Sequence, residues 1–392
     1  MEIFGVVFIT KYILTIIDSL LFILSLSADW FYGYAIYAGF LFSSRSYSIN
    51  PDFHPSVTIL KPICGLDGDA YENLASFCQQ DYPEYQIIFA VRDAADPGIE
   101  IVQKIIHYFP EMDIQLVASD RTIGTNLKVS NLANAAAVAK YEILVIADSD
   151  IRVGRDYLQR VVQPLQDENV GVVTCPYRSL AKGWVAILEA LGNATDFHAG
   201  VFVSKHLEGV QFAFGSTIVI RQAVLEAIGG FPAIADYLAD DFQLGYLPAQ
   251  LGYEVVLSDY VVEHVLATTT LVDSIKRQIR WARGMRVSRP WGYLGLIFTY
   301  GTATSLLFLI ATGGSIWGWV VLGITWSIRL AMAWVVGVYI LKDSFAKKFL
   351  WLVPIQDLIN FAVWGYGLVG STIEWRGQQL KLTKGGKLKA EI

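Results

Sequence analysis

The sequence predicts a mixed α/β domain with a mostly parallel sheet, carried between membrane segments at both ends. Three observations lead there. Apolar residues make up 54% of the 392, high for one large or two small soluble domains, and the excess gathers at the two ends. Between about residues 46 and 290 the chain instead carries turns, charges and alternating patterns. There, apolar runs alternate with helix-like segments, the order of a parallel sheet with crossover helices.

The elements follow in chain order. Residues 16–42 are apolar for longer than a bilayer requires, interrupted only by Asp18 and Asp29. No small-residue cleavage site follows, and Arg45 comes just after, so residues 1–45 read as an uncleaved anchor. Residues 46–275 read as a domain large enough for its own core. Its strand-like runs are SVTIL, YQIIFAV, DIQLVAS, EILVIAD and VGVVTC, and its helix-like segments include DAYENLASFCQQ and GIEIVQKIIHYF. Residues 276–293 open with KRQIRWARGMRVSR, six basic residues and no acidic one, and read as an interfacial helix among anionic headgroups. Within 294–375, YLGLIFTYGTATSLLFLIATGG and SIWGWVVLGITWSIRLAMAWVVGVYIL are each long enough to span. Pro354, Asp357 and Asn360 make 349–373 read as a re-entrant or interfacial segment instead. The loop 342–348 and the tail 376–392 are basic, which places both, with the central domain, on the cytoplasmic side of a multi-pass protein.

Composition excludes some classes. A net charge of −6 argues against a nucleic-acid partner. Cys64, Cys78 and Cys175 match no zinc spacing, and an odd count makes no disulfide framework, so they read as buried thiols in a reducing compartment.

In open α/β sheets, ligands sit beyond the carboxyl ends of strands. Three acidic groups share that address: Asp93 with Asp96 after IIFAV, Asp148 and Asp150 after EILVIA, and Asp240 and Asp241 opening a helical segment after the turn IGGFP. Asp-Ser-Asp is also ordinary turn chemistry, and each group alone reads equally as a solvated loop or a helix cap. Together they suit a nucleotide base, a metal bound to diphosphate, and a proton acceptor.

These residues carry a resemblance. FCQQDYPEYQIIFAVRDAADPGIEI, IGTNLKVSNL, ADSDIRV, ADDFQLG and RQIRW resemble, in order, the motif set of the ceramide glucosyltransferase family. The similarity runs from about Val57 to Trp281 and continues weakly into IEWRGQQLKLTKGG. It implies a GT-A fold and an inverting transfer of glucose from UDP-glucose to the primary hydroxyl of ceramide or a ceramide-like membrane lipid. By that resemblance Asp93 accepts from the uracil ring, and Asp148 and Asp150 hold Mg²⁺ or Mn²⁺ against the diphosphate, with Asp148 also contacting ribose. Lys128 and Asn131 lie near the donor, Asp241 is the general base, and Asp240 is its neighbour or a helix cap. Arg277, Arg280 and Trp281 close the donor site, though lipid-headgroup contact is the other reading of the two arginines. His198 and His206 read as structural histidines rather than acceptor contacts. The same pattern suits a hopanoid or diacylglycerol glycosyltransferase using UDP-glucose or UDP-N-acetylglucosamine. A processive polysaccharide synthase would need more spans, and a membrane-tethered nucleotide-sugar sensor would bind without turnover.

Overall fold

The computed structural model describes residues 2–44, 47–267, 269–375 and 378–390. Arg45 and Arg376, which the sequence reading used, lie outside the described residues. The chain divides into two compact units. One comprises Phe42–Ile187, Ser204–Thr270 and Ser371–Ile392; the other comprises Met1–Leu41, Leu188–Val203 and Leu271–Gly370.

The first unit is the expected α/β domain. Its sheet runs β3 (Asp113–Ala118), β2 (Tyr85–Val91), β1 (Val57–Pro62), β4 (Ile143–Ile146), β8 (Ile218–Arg221), β6 (Val170–Thr174) and β9 (Glu254–Leu257). All neighbours are parallel except β8, which is antiparallel to both β4 and β6. All five apolar runs picked out in the sequence are strands of this sheet. Four of them, β1, β2, β4 and β6, are buried throughout because both faces are covered, whereas β3 lies at the sheet edge and is partly exposed. Ile59, Ile87, Phe89 and Val145 point into one core with Phe77, Val102 and Ile105 of the helices Ala70–Phe77 and Gly98–Tyr108. Leu60, Ile88, Leu144 and Ile146 point into the opposite core with Val129, Leu132 and Leu244. Each fully buried side chain of this kind contributes roughly 1.5–3 kcal/mol.

The chain builds β1, β2 and β3 outward in one direction, then returns to place β4 on the other side of β1. That reversal leaves a crevice at the carboxyl ends of β1 and β4, the topological switch point where such sheets bind ligands. A smaller sheet, β5 (Ile151–Arg152), β10 (Val262–Leu266) and β7 (Tyr177–Ala181), continues from the segment that follows β4. The tail forms a third sheet, β11 (Thr372–Trp375), β12 (Gln378–Leu382) and β13 (Leu388–Ala390), with Ile373, Leu380, Leu382 and Leu388 buried.

The second unit is helical. Tyr12–Ser43 and Ile316–Ile340 are long and apolar enough to cross a membrane. The expected span over 293–314 is not one straight helix: Pro290–Thr299 and Gly301–Ala311 meet at 53°. A side chain inserted into the helical hydrogen-bond ladder produces such a kink. Here it is Tyr32, whose hydroxyl donates to Thr299 O (2.8 Å) and accepts from Gly301 N (2.9 Å). Gly301 has no side chain to spare at this crossing, since a Cβ there would meet Thr325, Ala28 and Tyr32 at 2.8–3.0 Å. The helix Val353–Gly367 has 15 residues, too short to cross a hydrocarbon core of about 30 Å.

Candidate active site

The site is built at the end of β4. Asp148 leaves the strand with its N–H on Gly215 O (3.0 Å), and its own carbonyl accepts from Lys61 Nζ at 2.5 Å. Lys61 lies on β1 and is fully buried, its ammonium 3.9 Å above the Phe77 ring. Burial lowers this lysine to about 7, with Asp150 and then Asp148 pulling in the opposite direction.

Lys128 ties the carboxylates together. It sits in the first turn of the helix Leu127–Ala136, capped by Asn126, whose side chain accepts from the N–H groups of Lys128 and Val129. Its Nζ lies 2.6 Å from Asp148 Oδ1 and 3.2 Å from Asp240 Oδ2. Burial alone would lower its pKa, but Asp148, Asp240 and Asp241 outweigh burial and raise it, so it stays charged. Asp240 opens the helix Asp240–Gln250, is 5% exposed, and also accepts from Asn126 Nδ2 at 3.3 Å.

Asp241 receives Gly215 N–H on Oδ2 (3.1 Å) and Phe242 N–H on Oδ1 (2.8 Å). Burial first, and the neighbouring Asp240 second, push its carboxyl up to about 6 against the pull of Lys128. Burial likewise raises Asp148, opposed chiefly by Lys128. Asp150 goes the other way. Burial would raise it too, but His264 and the more distant Lys61 and Lys128 hold it below the usual carboxylate range. His264 Nε2, on β10, lies 3.2 Å from Asp150 Oδ2. Lys128 thus bridges Asp148 and Asp240, Gly215 joins Asp148 to Asp241, and His264 holds Asp150, two residues along from Asp148.

The other expected site residues have other immediate partners. Asp93 is exposed two residues beyond β2, where Oδ1 caps Ala95 N–H at 2.8 Å. Asp96 accepts from Gly65 N and Gly98 N and so fixes the loop after β1. Asn131 is buried and reaches Ile63 O at 3.4 Å. Arg277, Arg280 and Trp281 lie on the helix Leu271–Ser288 of the helical unit. Arg277 forks onto buried Glu189 at 2.9 and 2.5 Å, which Ser274 also bonds. Trp281 is half exposed, and His198 is buried with Nδ1 2.7 Å from Asn193 O. Sequence reasoning did not single out Lys61, Gly215 or His264.

Among the described residues no three His, Cys, Asp or Glu side chains form a preformed metal cage. A divalent ion that keeps waters and substrate phosphates as ligands needs only one or two carboxylates. Asp148 and Asp150 offer that donor set at the switch point. Gly215 keeps the space beside them clear, since a Cβ there would overlap Asp148 Oδ2. The residues present therefore fit a hard divalent cation.

A nucleotide-binding sheet with acidic residues at its switch point and a buried carboxylate opposite defines a glycosyltransferase of GT-A type. A mannosyltransferase from Pyrobaculum calidifontis, solved in complex with GDP-Man and Mn²⁺, shares that fold. Its TM-score is 0.56 at 20% identity, over 91% of this chain and 99% of the other. The chain belongs to glycosyl transferase family 21, whose family model matches residues 20–388. It is similar to ceramide glucosyltransferase 1 of Caenorhabditis elegans, 24% identical over 347 residues, which cover 86% of this chain and 73% of the relative. It is also similar to the ceramide glucosyltransferase of Komagataella phaffii, 37% identical over 128 residues, 32% of this chain and 25% of that one. It is a hexosyltransferase, a lipid glycosyltransferase by its family.

Proposed function

We propose that this protein transfers glucose from UDP-glucose to the primary hydroxyl of ceramide or a ceramide-like membrane lipid, in one inverting displacement. The observation that carries the reading is Asp241: a carboxyl pushed up to about 6, held by two backbone N–H groups and linked through Gly215 to Asp148. A base poised near neutral pH is what an attacking hydroxyl needs as it loses its proton. The names of the curated relatives support the glucose donor and the ceramide acceptor.

In this reading the first unit is the catalytic domain on the cytoplasmic side, with Tyr12–Ser43 and Ile316–Ile340 crossing the bilayer. Asp148 and Asp150 would hold Mg²⁺ or Mn²⁺, and the ion would supply positive charge against the diphosphate. Lys128 adds a fixed positive charge beside the same carboxylates, and Asp93 accepts from the uracil ring. Asn131 steadies the loop after β1 that borders the donor, and Asp240 holds Lys128 in place. Arg277, engaged by Glu189, fixes the helix that also carries Arg280 and Trp281. The helical unit carries an open hollow of about 460 Å³, lined by Trp291, Leu294, Ile297, Phe298, Trp364 and Leu368. Its lining suits a hydrocarbon chain.

Purified protein incubated with labelled UDP-glucose, UDP-galactose and UDP-N-acetylglucosamine and a native lipid extract, with products read by mass spectrometry, tests the whole reading. A β-glucosylceramide-like product is expected. Transfer to a hopanoid or diacylglycerol, or a ladder of polymer lengths, would replace it.

A further inference from the structure

The segment that delivers Asp240 and Asp241 lacks the usual means of fixing a helix start. The N-cap of their helix is Ala239, which offers no side chain to the first N–H groups. The four residues before the aspartates are held from two sides instead. From the helix Leu127–Ala136 side, Thr125 bonds Asp236 Oδ1 through N and Oγ1 (both 2.9 Å), and Asn126 Nδ2 bonds Tyr237 O (2.8 Å). From the other side comes the carboxy-terminal tail. Leu388 N donates to Asp236 O (2.6 Å), and Leu238 N donates to Gly386 O (3.0 Å). Tyr237 and Lys387 form an antiparallel bridge, with Lys387 Nζ 5.3 Å from the centre of the Tyr237 ring.

We infer that the tail sheet β11–β13 is a clamp that positions the Asp240–Asp241 loop, with Leu388 and Lys387 as positioning residues for the transfer step. The inference rests on the assignment of Asp241 as the base. The tail is not tethered loosely: Leu382 N reaches Ser371 O, Thr383 N reaches Lys387 O, and the inward face of the sheet buries Leu380, Leu382 and Leu388. It therefore presents a rigid edge rather than a flexible end. Neither Leu388 nor Lys387 touches Asp148 or Lys128 in any bond described above. Releasing the clamp should accordingly act first on the aspartate loop and reach the donor carboxylates only through the Lys128–Asp240 pair, so that kcat falls by more than donor affinity. A reacting group displaced by about 1 Å loses on the order of 10²-fold in rate.

Full-length Leu388→Pro removes the N–H that reaches Asp236 O. Its kcat should fall by roughly 10-fold or more, and UDP affinity by much less. Lys387→Ala should lower kcat more mildly, and Lys387→Arg, which keeps a cation over Tyr237, should restore it. If Leu388→Pro does not fold, the Lys387 pair decides. Wild-type kcat in both Leu388→Pro and Lys387→Ala would overturn the inference, as would a loss of UDP affinity equal to the loss of kcat. Asp241→Asn separates the two assignments. An active Asp241→Asn enzyme beside an impaired Leu388→Pro enzyme removes the base and keeps the clamp. An inactive Asp241→Asn enzyme beside unimpaired tail variants removes the clamp and keeps the base.

Discussion

Gly215 donates its N–H to Asp241 Oδ2 across 3.1 Å while its carbonyl accepts from Asp148 N at 3.0 Å. One residue without a side chain thus sets the separation between the two carboxylates on which the proposed reaction depends. Gly215→Ala would place a Cβ on Asp148 Oδ2 and 3.2 Å from Lys128 Nζ. Overpacking of this kind costs about 1–3 kcal/mol and moves side chains off their positions. We expect Gly215→Ala to fold but to lose roughly 10²-fold in kcat/KM. Wild-type turnover in a folded Gly215→Ala enzyme would show that the spacing does not matter.

Asp148→Ala and Asp150→Ala should both lose metal-dependent activity, Asp148 more severely, because it also holds Lys128. Chelator should reproduce the loss in the wild type, and added Mn²⁺ or Mg²⁺ should reverse it. Full turnover in excess EDTA would sink the metal assignment. A Mn²⁺ titration followed by electron paramagnetic resonance provides a readout independent of turnover, and Asp148→Ala should weaken binding there as well.

Much of this architecture was legible because continuous burial leaves a plain signature. β1, β2 and β4 are buried without interruption and mostly apolar, and the Asp148–Asp150 pair ends such a run abruptly. Other features arise from contacts distant in sequence. Lys61 follows directly on SVTIL, yet β1 continues through it and the side chain is buried, bonding the Asp148 carbonyl. Nothing local to Gly215 marks it, since its partners lie at 148 and 241. The tail did carry a signal. QLKLTKGGKLKA alternates around a Lys-Gly-Gly turn, the pattern of a hairpin, but its positive charge reads only as a sign of the cytoplasmic side. The span over 293–314 broke for a reason outside itself, the Tyr32 hydroxyl.

Lys61→Met keeps the volume and apolar stem of the side chain while removing the donor to Asp148 O. Volume-conserving swaps in a core usually cost less than 1.5 kcal/mol, so the variant should fold. Without the ammonium, the Asp148 carbonyl keeps only the longer bond from Ile151 N (3.2 Å), and the carboxylate that follows is less firmly held. We expect UDP-glucose affinity in the presence of metal to weaken by about 10-fold, equivalent to 1.4 kcal/mol. Calorimetry giving an unchanged affinity would leave Lys61 as packing only.

Asp241→Asn keeps the shape of the site and removes the ability to accept a proton. Donor affinity should stay near wild type while transfer to lipid falls by roughly 10²-fold or more. Asp240→Asn should be milder, because its carboxylate serves Lys128 and Asn126 rather than the acceptor. The raised carboxyl adds two pH tests. In the wild type kcat should fall as pH drops through about 6, where Asp241 gains its proton, and the residual rate of Asp241→Asn should lack that limb. For stability the sign is opposite. Between the unfolded value near 3.8 and about 6 the folded state binds more protons than the unfolded one, so stability falls as pH rises through that window. Asp241→Asn carries no such charge, though its amide can accept only one of the two backbone N–H groups, so its stability relative to wild type should rise as pH goes from 4 to 7.5. A wild-type margin that grows with pH would mean that Asp241 is ionised at no cost, and its place as the base would pass to Asp240.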